Sequence, residues 1–363
     1  MRVAIDEQIF AIQAHGGISR LFYELALEFL AHKELRVGLT PFDAPIVNEY
    51  ILRNPETRRV FGARDATNAF DSLSRLARMR KPAGRPELVH HTFYLPTALG
   101  RYRGTPRVVT VYDMIPELMR HTKRRLDFVT QKRRFLEKAD HIICISESTK
   151  SDLLRVWPDL QAPISVTYLG ASELFAPRAD RPSSLPDRYI LHVGTRSGYK
   201  DAWTLTEAFS RVAADHPDVT LVYIGGGAPT PDEARQWSSP ALRGRVRWML
   251  PSESDLPAYY SNSECCVVPS RYEGFGLPTL EGMACGAPQI LSDTSSLPEV
   301  GGKAARYFTP GNIEQLASRL NEVLNYPDVR SSMRLAGLAR SREFTWHRCA
   351  EQTARVYTSV LAS

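Results

Sequence analysis

The stretch ECCVVPSRYEGFGLPTLEGMACGAP (264–288) sets the frame for the whole chain. Its opening run of Cys and Val has no polar interruption, so it reads as a strand buried on both faces, the kind found in parallel sheets. RYEGFG is the turn leaving that strand's carboxyl end. Pro278 suits the first position of a helix, and PTLEGMAC continues it until Gly286 ends it. Strand, glycine turn and helix make one unit of an α/β sheet. The turn, Glu273-Gly274-Phe275-Gly276-Leu277, should offer the N–H groups of Gly276, Leu277 and Thr279 at the positive helix end, which suits a phosphate. Two glutamates, Glu273 on the turn and Glu281 in the helix's first turn, need another explanation. A carboxylate beside a phosphate costs repulsion unless it binds something else, and an ionised carboxylate accepts short bonds from a diol. For Glu281 the plainer reading is dipole complementation, worth about 0.3–1 kcal/mol. Phosphates plus two diols describe a nucleotide sugar, with one diol on the ribose and one on the hexose.

The same grammar runs through the chain. Strand-like runs stand at 3–7, 36–40, 88–92, 107–113, 141–146 and 164–170, then at 189–195, 220–225, 246–250, 264–270, 289–293 and 306–309. Amphipathic stretches such as 19–33, 201–216 and 312–324 separate them. This alternation predicts parallel sheets covered on both faces. APRADRPSSLPDR (176–188), rich in Pro, Ser and charge, reads as a linker. The expected architecture is two doubly wound Rossmann-like α/β domains, residues 1–175 and 189–343, with ligands in the cleft beyond the strand ends. Residues 344–363 read as a final helix that packs on either domain.

Composition narrows the classes. At 363 residues the chain is long for one domain, and mean hydropathy is −0.28 with no long apolar run, so no membrane span is expected. The N-terminus turns acidic by Asp6 and lacks a signal peptide's apolar core, which predicts a cytosolic protein. Five cysteines form no CxxC and read as small buried hydrophobes rather than a zinc set. The net charge of +6 sits in residues 1–180, with 27 Lys and Arg against 21 Asp and Glu; the remainder holds 19 of each. The excess concentrates in 75–85, 101–107 and 121–138. These runs are either solvated faces or an attachment to anionic lipid or an acidic substrate.

Other loops are placed where chemistry happens. Gly16-Gly17 falls between the first strand and the first helix, where the backbone can approach a phosphate or sugar, although tight turns also use such pairs. Arg196 and Lys200, four apart on a glycine-containing loop at a strand's carboxyl end, can converge on one anion. Asp113 ends the strand RVVTVYD and is a candidate for contacting the hexose or the acceptor hydroxyl. His90 and His91 end the neighbouring strand, as structural or catalytic groups.

At this point SRYEGFGLPTLEGMACGAP resembles the E-x7-E signature of the retaining GT-B glycosyltransferases of family 4. HGGIS, TVYDMIPE, ISESTKSDL, GTRSGYKD and LVYIGGG follow the same family's order, so the resemblance covers nearly the whole chain. It implies an N-terminal acceptor-binding domain and a C-terminal nucleotide-sugar-binding domain. It also implies that Gly16 and Gly17 approach the donor diphosphate and that Arg196 and Lys200 neutralise it. Glu273 would hold hydroxyls of the transferred sugar, Glu281 the ribose, and Phe275 to Leu277 would lie along sugar and phosphate. The final helix, 344–363, is read from its own pattern as one that can pack back on the N-terminal domain. One departure stands out: where many members carry His-Asp, this chain reads Tyr112-Asp113, so Asp113, His90 or His91 takes the histidine's part.

The expected reaction moves a hexose, with GDP-mannose as donor by analogy to builders of bacterial surface polysaccharide, to a glycan or lipid-linked hydroxyl with retention. No metal is expected, because Arg196, Lys200 and the N-terminal loop supply the positive charge. Segment 121–138 is the candidate for contact with the inner face of an anionic membrane. An epimerase or phosphorylase on the same fold is the alternative. A nucleic-acid binder is a weaker one, since no aromatic-interleaved basic motif occurs and both glutamates would be unexplained.

Overall fold

The protein is described from a computed structural model, over residues 1–66, 85–119 and 124–363. It divides into two units, Met1–Gly170 with Trp346–Ser363, and Ala171–Thr345.

In the first unit six parallel strands are β1 (Arg2–Ile5), β2 (Gly38–Leu39), β3 (Leu88–His91), β4 (Arg107–Val111), β5 (His141–Cys144) and β6 (Ile164–Val166), in the order β2-β1-β3-β4-β5-β6. The order reverses between β1 and β3. Helices α1 (Gly17–Ala31), α2 (Arg124–Glu137) and α3 (Glu147–Val156) connect strands, and Ser146 caps α3 by accepting the Thr149 N–H. A separate parallel pair joins Pro45–Ile46 to Arg64–Asp65.

The second unit contains β7 (Arg188–Val193), β8 (Val219–Ile224), β9 (Val246–Met249), β10 (Cys265–Val268), β11 (Gln289–Ser292) and β12 (Ala305–Phe308), ordered β9-β8-β7-β10-β11-β12 and all parallel. Numbered within the unit, this is 3-2-1-4-5-6, with its switch point between β7 and β10. Ile190, Leu221, Tyr223, Cys265 and Val267 enter one hydrophobic layer, while Tyr189, Leu191, Val222, Ile224 and Cys266 enter the other. Successive side chains of a strand point to opposite faces, so strands covered on both sides must be apolar throughout. Helices α4 (Ala202–Val212), α5 (Leu277–Ala284), α6 (Ile313–Asn325) and α7 (Pro327–Ser341) belong to this unit.

The stretch read as a linker is part of the second unit. Phe175 and Leu185 are buried in one layer with Tyr189 and Tyr260, and the Arg178 N–H donates to Ser261 Oγ at 3.0 Å. Arg188 already starts β7 and pairs with Glu264 at 2.9 Å. The boundary therefore lies at Gly170/Ala171 rather than at 176, and the Ala171 N–H donates to the Phe344 carbonyl. Proline, serine and charge are as compatible with an extended strap across a surface as with a free linker; the buried Leu185, with Phe175 just before the stretch, decides for the strap. The last helix, α8 (Trp346–Ala362), starts two residues later than read and belongs to the first unit, against α1, where Phe29 and Tyr357 rings lie 6.0 Å apart. All five cysteines are free and buried, and burial pushes the Cys144 and Cys349 thiols up to about 12. No helix of the described residues is long and apolar enough to cross a membrane.

Candidate functional site

In the second unit the loops after β7 and β10 leave adjacent strands at the switch point, and they are bolted together. Lys200 Nζ donates to both oxygens of Glu273, at 2.7 and 2.9 Å. Arg271 Nε donates to Asp201 at 2.9 Å, and the Arg271 N–H donates to the Tyr199 carbonyl at 2.7 Å. Ser270 Oγ donates to Glu273 at 2.6 Å, while Ser295 Oγ accepts the Glu273 N–H at 2.8 Å and Ser296 Oγ donates to its carbonyl at 2.9 Å. Side-chain exposure of 19% for Lys200 and 9% for Glu273 makes this a nearly buried pair. A carboxylate has about four acceptor positions, and three are taken by Lys200 and Ser270, so Glu273 is held rigid with room for one more donor.

The turn itself requires glycine. Gly276 has φ +95°, and a Cβ there would lie 3.0 Å from Leu297 Cδ2. It precedes α5, and the Thr279 N–H already donates to the Gly276 carbonyl at 2.9 Å. That removes Thr279 from the expected anion donors and narrows them to the amides of Gly276 and Leu277. Gly274 and Phe275 complete the turn, with Phe275 buried against the Phe344 ring at 5.9 Å. Glu281 is the fifth residue of α5, past its first turn, which holds no acidic residue. The helix-dipole explanation weakens accordingly, because that effect fades beyond the first turn. Its carboxylate instead accepts from Tyr260 OH at 3.3 Å.

Arg196 is committed more deeply than its loop position suggests. Nε donates to Glu233 at 2.7 Å, Nη1 to the Gly225 carbonyl at 3.0 Å and Nη2 to the Gly227 carbonyl at 2.8 Å. Its guanidinium lies 5.8 Å from the Trp237 ring. Burial raises the Glu233 carboxyl, and hydrogen bonds from Arg196 and Thr230 outweigh it, leaving the group below its usual range. Arg196 thus shapes the Gly225–Gly227 turn, and it meets an anion only by exchanging Glu233 for it. Sequence reasoning missed Ser270, Tyr260 and Glu233. Only Glu233 had a signal, as the fourth residue of the capping box Thr230-Pro-Asp-Glu.

In the first unit, Gly16 caps α1, and the Ser19 N–H donates to Gln13 Oε1 at 3.1 Å. The Gln13 amide occupies the space where a Gly16 Cβ would stand, 2.4 Å away. Gly17 begins the helix. Asp113 follows β4, half-buried, accepting the Ile115 N–H at 2.9 Å, while its carbonyl accepts from Lys132 Nζ at 2.6 Å. Tyr112 is buried and donates to the Thr92 carbonyl at 2.8 Å. His90 is buried with both ring nitrogens engaged, by Tyr357 OH and Thr110 Oγ1 at 2.7 Å each, and burial pushes its pKa down to about 3. A neutral, fully engaged imidazole is a structural group, not a proton carrier. His91 is equally buried, its Nδ1 2.6 Å from Asp6. Asp113 therefore remains the accessible carboxylate of this set.

The basic segments are partly turned inward. Lys132 is 1% exposed and pairs with Glu117 at 3.2 Å, so it belongs to no surface patch. Arg133 pairs with Glu137 and Asp159, and Arg101 with the buried Glu7. Residues 75–84, His121 to Lys123 and the side chains of Arg124 and Arg125 lie outside the described residues.

Comparison with known proteins places the chain in a family. Residues 177–340 match the family described as Glycosyl transferases group 1, and residues 15–172 match Glycosyltransferase Family 4. The O-antigen chain mannosyltransferase B of Escherichia coli is 28% identical over 288 residues, 75% of this chain and 74% of that protein. The alpha-maltose-1-phosphate synthase of Mycolicibacterium smegmatis is 28% identical over the full length of both. Among solved structures, HepE of Anabaena in complex with UDP and glucose superposes with a TM-score of 0.76 at 16% identity, over 99% of each chain. Two Rossmann-like units, these two family matches and these relatives give one conclusion: the chain belongs to the family 4 glycosyltransferases of the GT-B fold, hexose-transferring enzymes.

Proposed function

We propose that this glycosyltransferase moves mannose from GDP-mannose, with retained configuration, to a hydroxyl of a glycan or lipid-linked acceptor in building a bacterial surface polysaccharide. The observation behind the donor assignment is the Lys200–Glu273 pair at the switch point, beside the Gly276–Leu277 amides. A pair of this kind serves a sugar diphosphate well: Lys200 faces the leaving phosphate while Glu273 keeps an acceptor position for a sugar hydroxyl. Glu281 takes the ribose. Arg196 adds charge when the diphosphate displaces Glu233, and Gly16 and Gly17 approach the same diphosphate. With that much positive charge, transfer needs no metal ion at the leaving group. Asp113 serves the acceptor or the reacting carbon. The choice of mannose rests on the likeness to the O-antigen mannosyltransferase of E. coli and to the MMP alpha-(1->4)-mannosyltransferase of Mycolicibacterium hassiacum, 29% identical over 248 residues. Contact with an anionic membrane face falls to the exposed Arg134 and Lys138.

A thermal-shift panel of UDP, GDP, dTDP and ADP sugars tests the donor. The expected result is stabilisation by GDP-mannose above that by GDP-glucose or any UDP sugar. UDP-glucose as the best stabiliser would overturn the choice of mannose, since HepE on this fold was solved with UDP and glucose.

A further inference from the structure

The first unit holds a cluster of groups that sugar transfer does not use. Glu28 and His32 stand four apart at the carboxyl end of α1, and His347 comes from the first turn of α8. Glu28 Oε2 lies 3.4 Å from His32 Nε2 and 3.2 Å from His347 Nδ1, and one ligand atom from each residue falls within 4.8 Å of the others. The two imidazole rings are 4.3 Å apart, centroid to centroid.

The two Glu28–histidine distances match a metal's ligand edges. Zinc bound at about 2.0–2.1 Å in tetrahedral geometry places neighbouring ligand atoms about 3.3 Å apart. The outer nitrogens add a second observation. His32 Nδ1 lies 2.9 Å from Glu34 Oε1, and His347 Nε2 lies 3.8 Å from Glu351 Oε1. Each ring therefore has a carboxylate at both nitrogens. A neutral imidazole has one N–H and would aim its lone pair at the second carboxylate, which is repulsive. Two imidazolium rings would satisfy the carboxylates but set like charges side by side. A cation resolves both conflicts, since each neutral ring ligates through its inner nitrogen while the outer N–H of His32 donates to Glu34 and that of His347 faces Glu351. That is the carboxylate–histidine–metal relay that fixes ring orientation in zinc sites.

From this geometry we infer that Glu28, His32 and His347 form a binding site for a divalent transition-metal ion, of the zinc type. Glu34 and Glu351 orient the histidines. Side-chain exposures of 22%, 39% and 41% leave an entry path and a fourth position for water. The ion would staple α8 to α1 within the first unit, a structural role rather than one in sugar transfer.

The test uses the full chain, stripped with a chelator and titrated with zinc chloride or with cobalt(II) as a spectroscopic probe. A single equivalent should bind, cobalt should show the intense visible bands of tetrahedral coordination, and the melting temperature should rise with metal. Glu28→Gln and His347→Gln should abolish the bands and the rise. Glu34→Gln should weaken binding by about 10-fold or more, as expected for an outer-sphere partner. Should His347→Gln fail to fold, His32→Gln, which leaves α8 unaltered, takes its place. Absence of saturable binding, binding unchanged in the ligand variants, or a cluster that answers to pH and not to metal would each overturn the site.

Discussion

Lys200→Ala removes one partner of a nearly buried ion pair, and its size can be worked from the structure. Exposed pairs contribute about 0.2–1 kcal/mol, while breaking a fully buried one costs about 3–5 kcal/mol. With side-chain exposures of 19% and 9%, the Lys200–Glu273 pair falls between them, and Ser270 keeps one bond to the stranded carboxylate. A loss of about 2 kcal/mol follows, or about 4–8 °C in the melting of a unit of this size. Lys200→Ala is thus expected to reduce both stability and turnover, the latter by about 10²–10³-fold if Lys200 faces the leaving phosphate. Glu273→Gln should cost less stability, because Lys200 can turn to solvent. It should weaken sugar-nucleotide binding while leaving free nucleoside diphosphate binding nearly intact. Chemical denaturation of wild type, both single variants and the double variant gives the coupling directly, expected at about 1–2 kcal/mol. A coupling below about 0.5 kcal/mol, with folded variants and unchanged midpoints, would refute the pairing and the site built on it.

Other outcomes follow from single features. Glu233→Gln removes the anion that competes for Arg196, so calorimetry should show tighter binding of nucleoside diphosphate; weaker binding would make Arg196 a support for the Gly225–Gly227 turn alone. Gly276→Ala forces a side chain onto a φ of +95° and against Leu297, and should cost about 1–2 kcal/mol in thermal denaturation. Burial pushes the Glu7 carboxyl up to about 7, from an ordinary value of 4.5. The native state then holds a proton that the unfolded chain has lost, so stability falls as pH rises from 4.5 to about 7, by at most about 1.36 kcal/mol per unit. Glu7→Gln should flatten that slope in urea titrations from pH 4.5 to 7; an unchanged slope would place the titration elsewhere.

The strands were legible because a sheet covered on both faces needs unbroken apolar runs, and every one of the twelve runs overlaps an observed strand. Ends shifted by one to four residues, since pairing stops where the partner strand does. The family was legible for a related reason: glycine turns and carboxylates at strand ends are tied to local backbone geometry, which short motifs record. Lys132 was not legible as a buried cation. Its neighbours are charged, and only the approach of Glu117 and the Asp113 carbonyl turns it inward.

Sequence by itself determined the α/β alternation, the two sheets and the turn at 273–277, because those depend on residues close in the chain. Tertiary structure alone decided the partners. Lys200 meets Glu273 across 73 positions, Arg196 meets Glu233 across 37 and His347 meets Glu28 across 319. Such pairs are set by which strands lie side by side and where a helix returns, and no local pattern encodes that. RYEGFG therefore announced a carboxylate on a glycine turn, and the fold supplied the lysine that pairs with it.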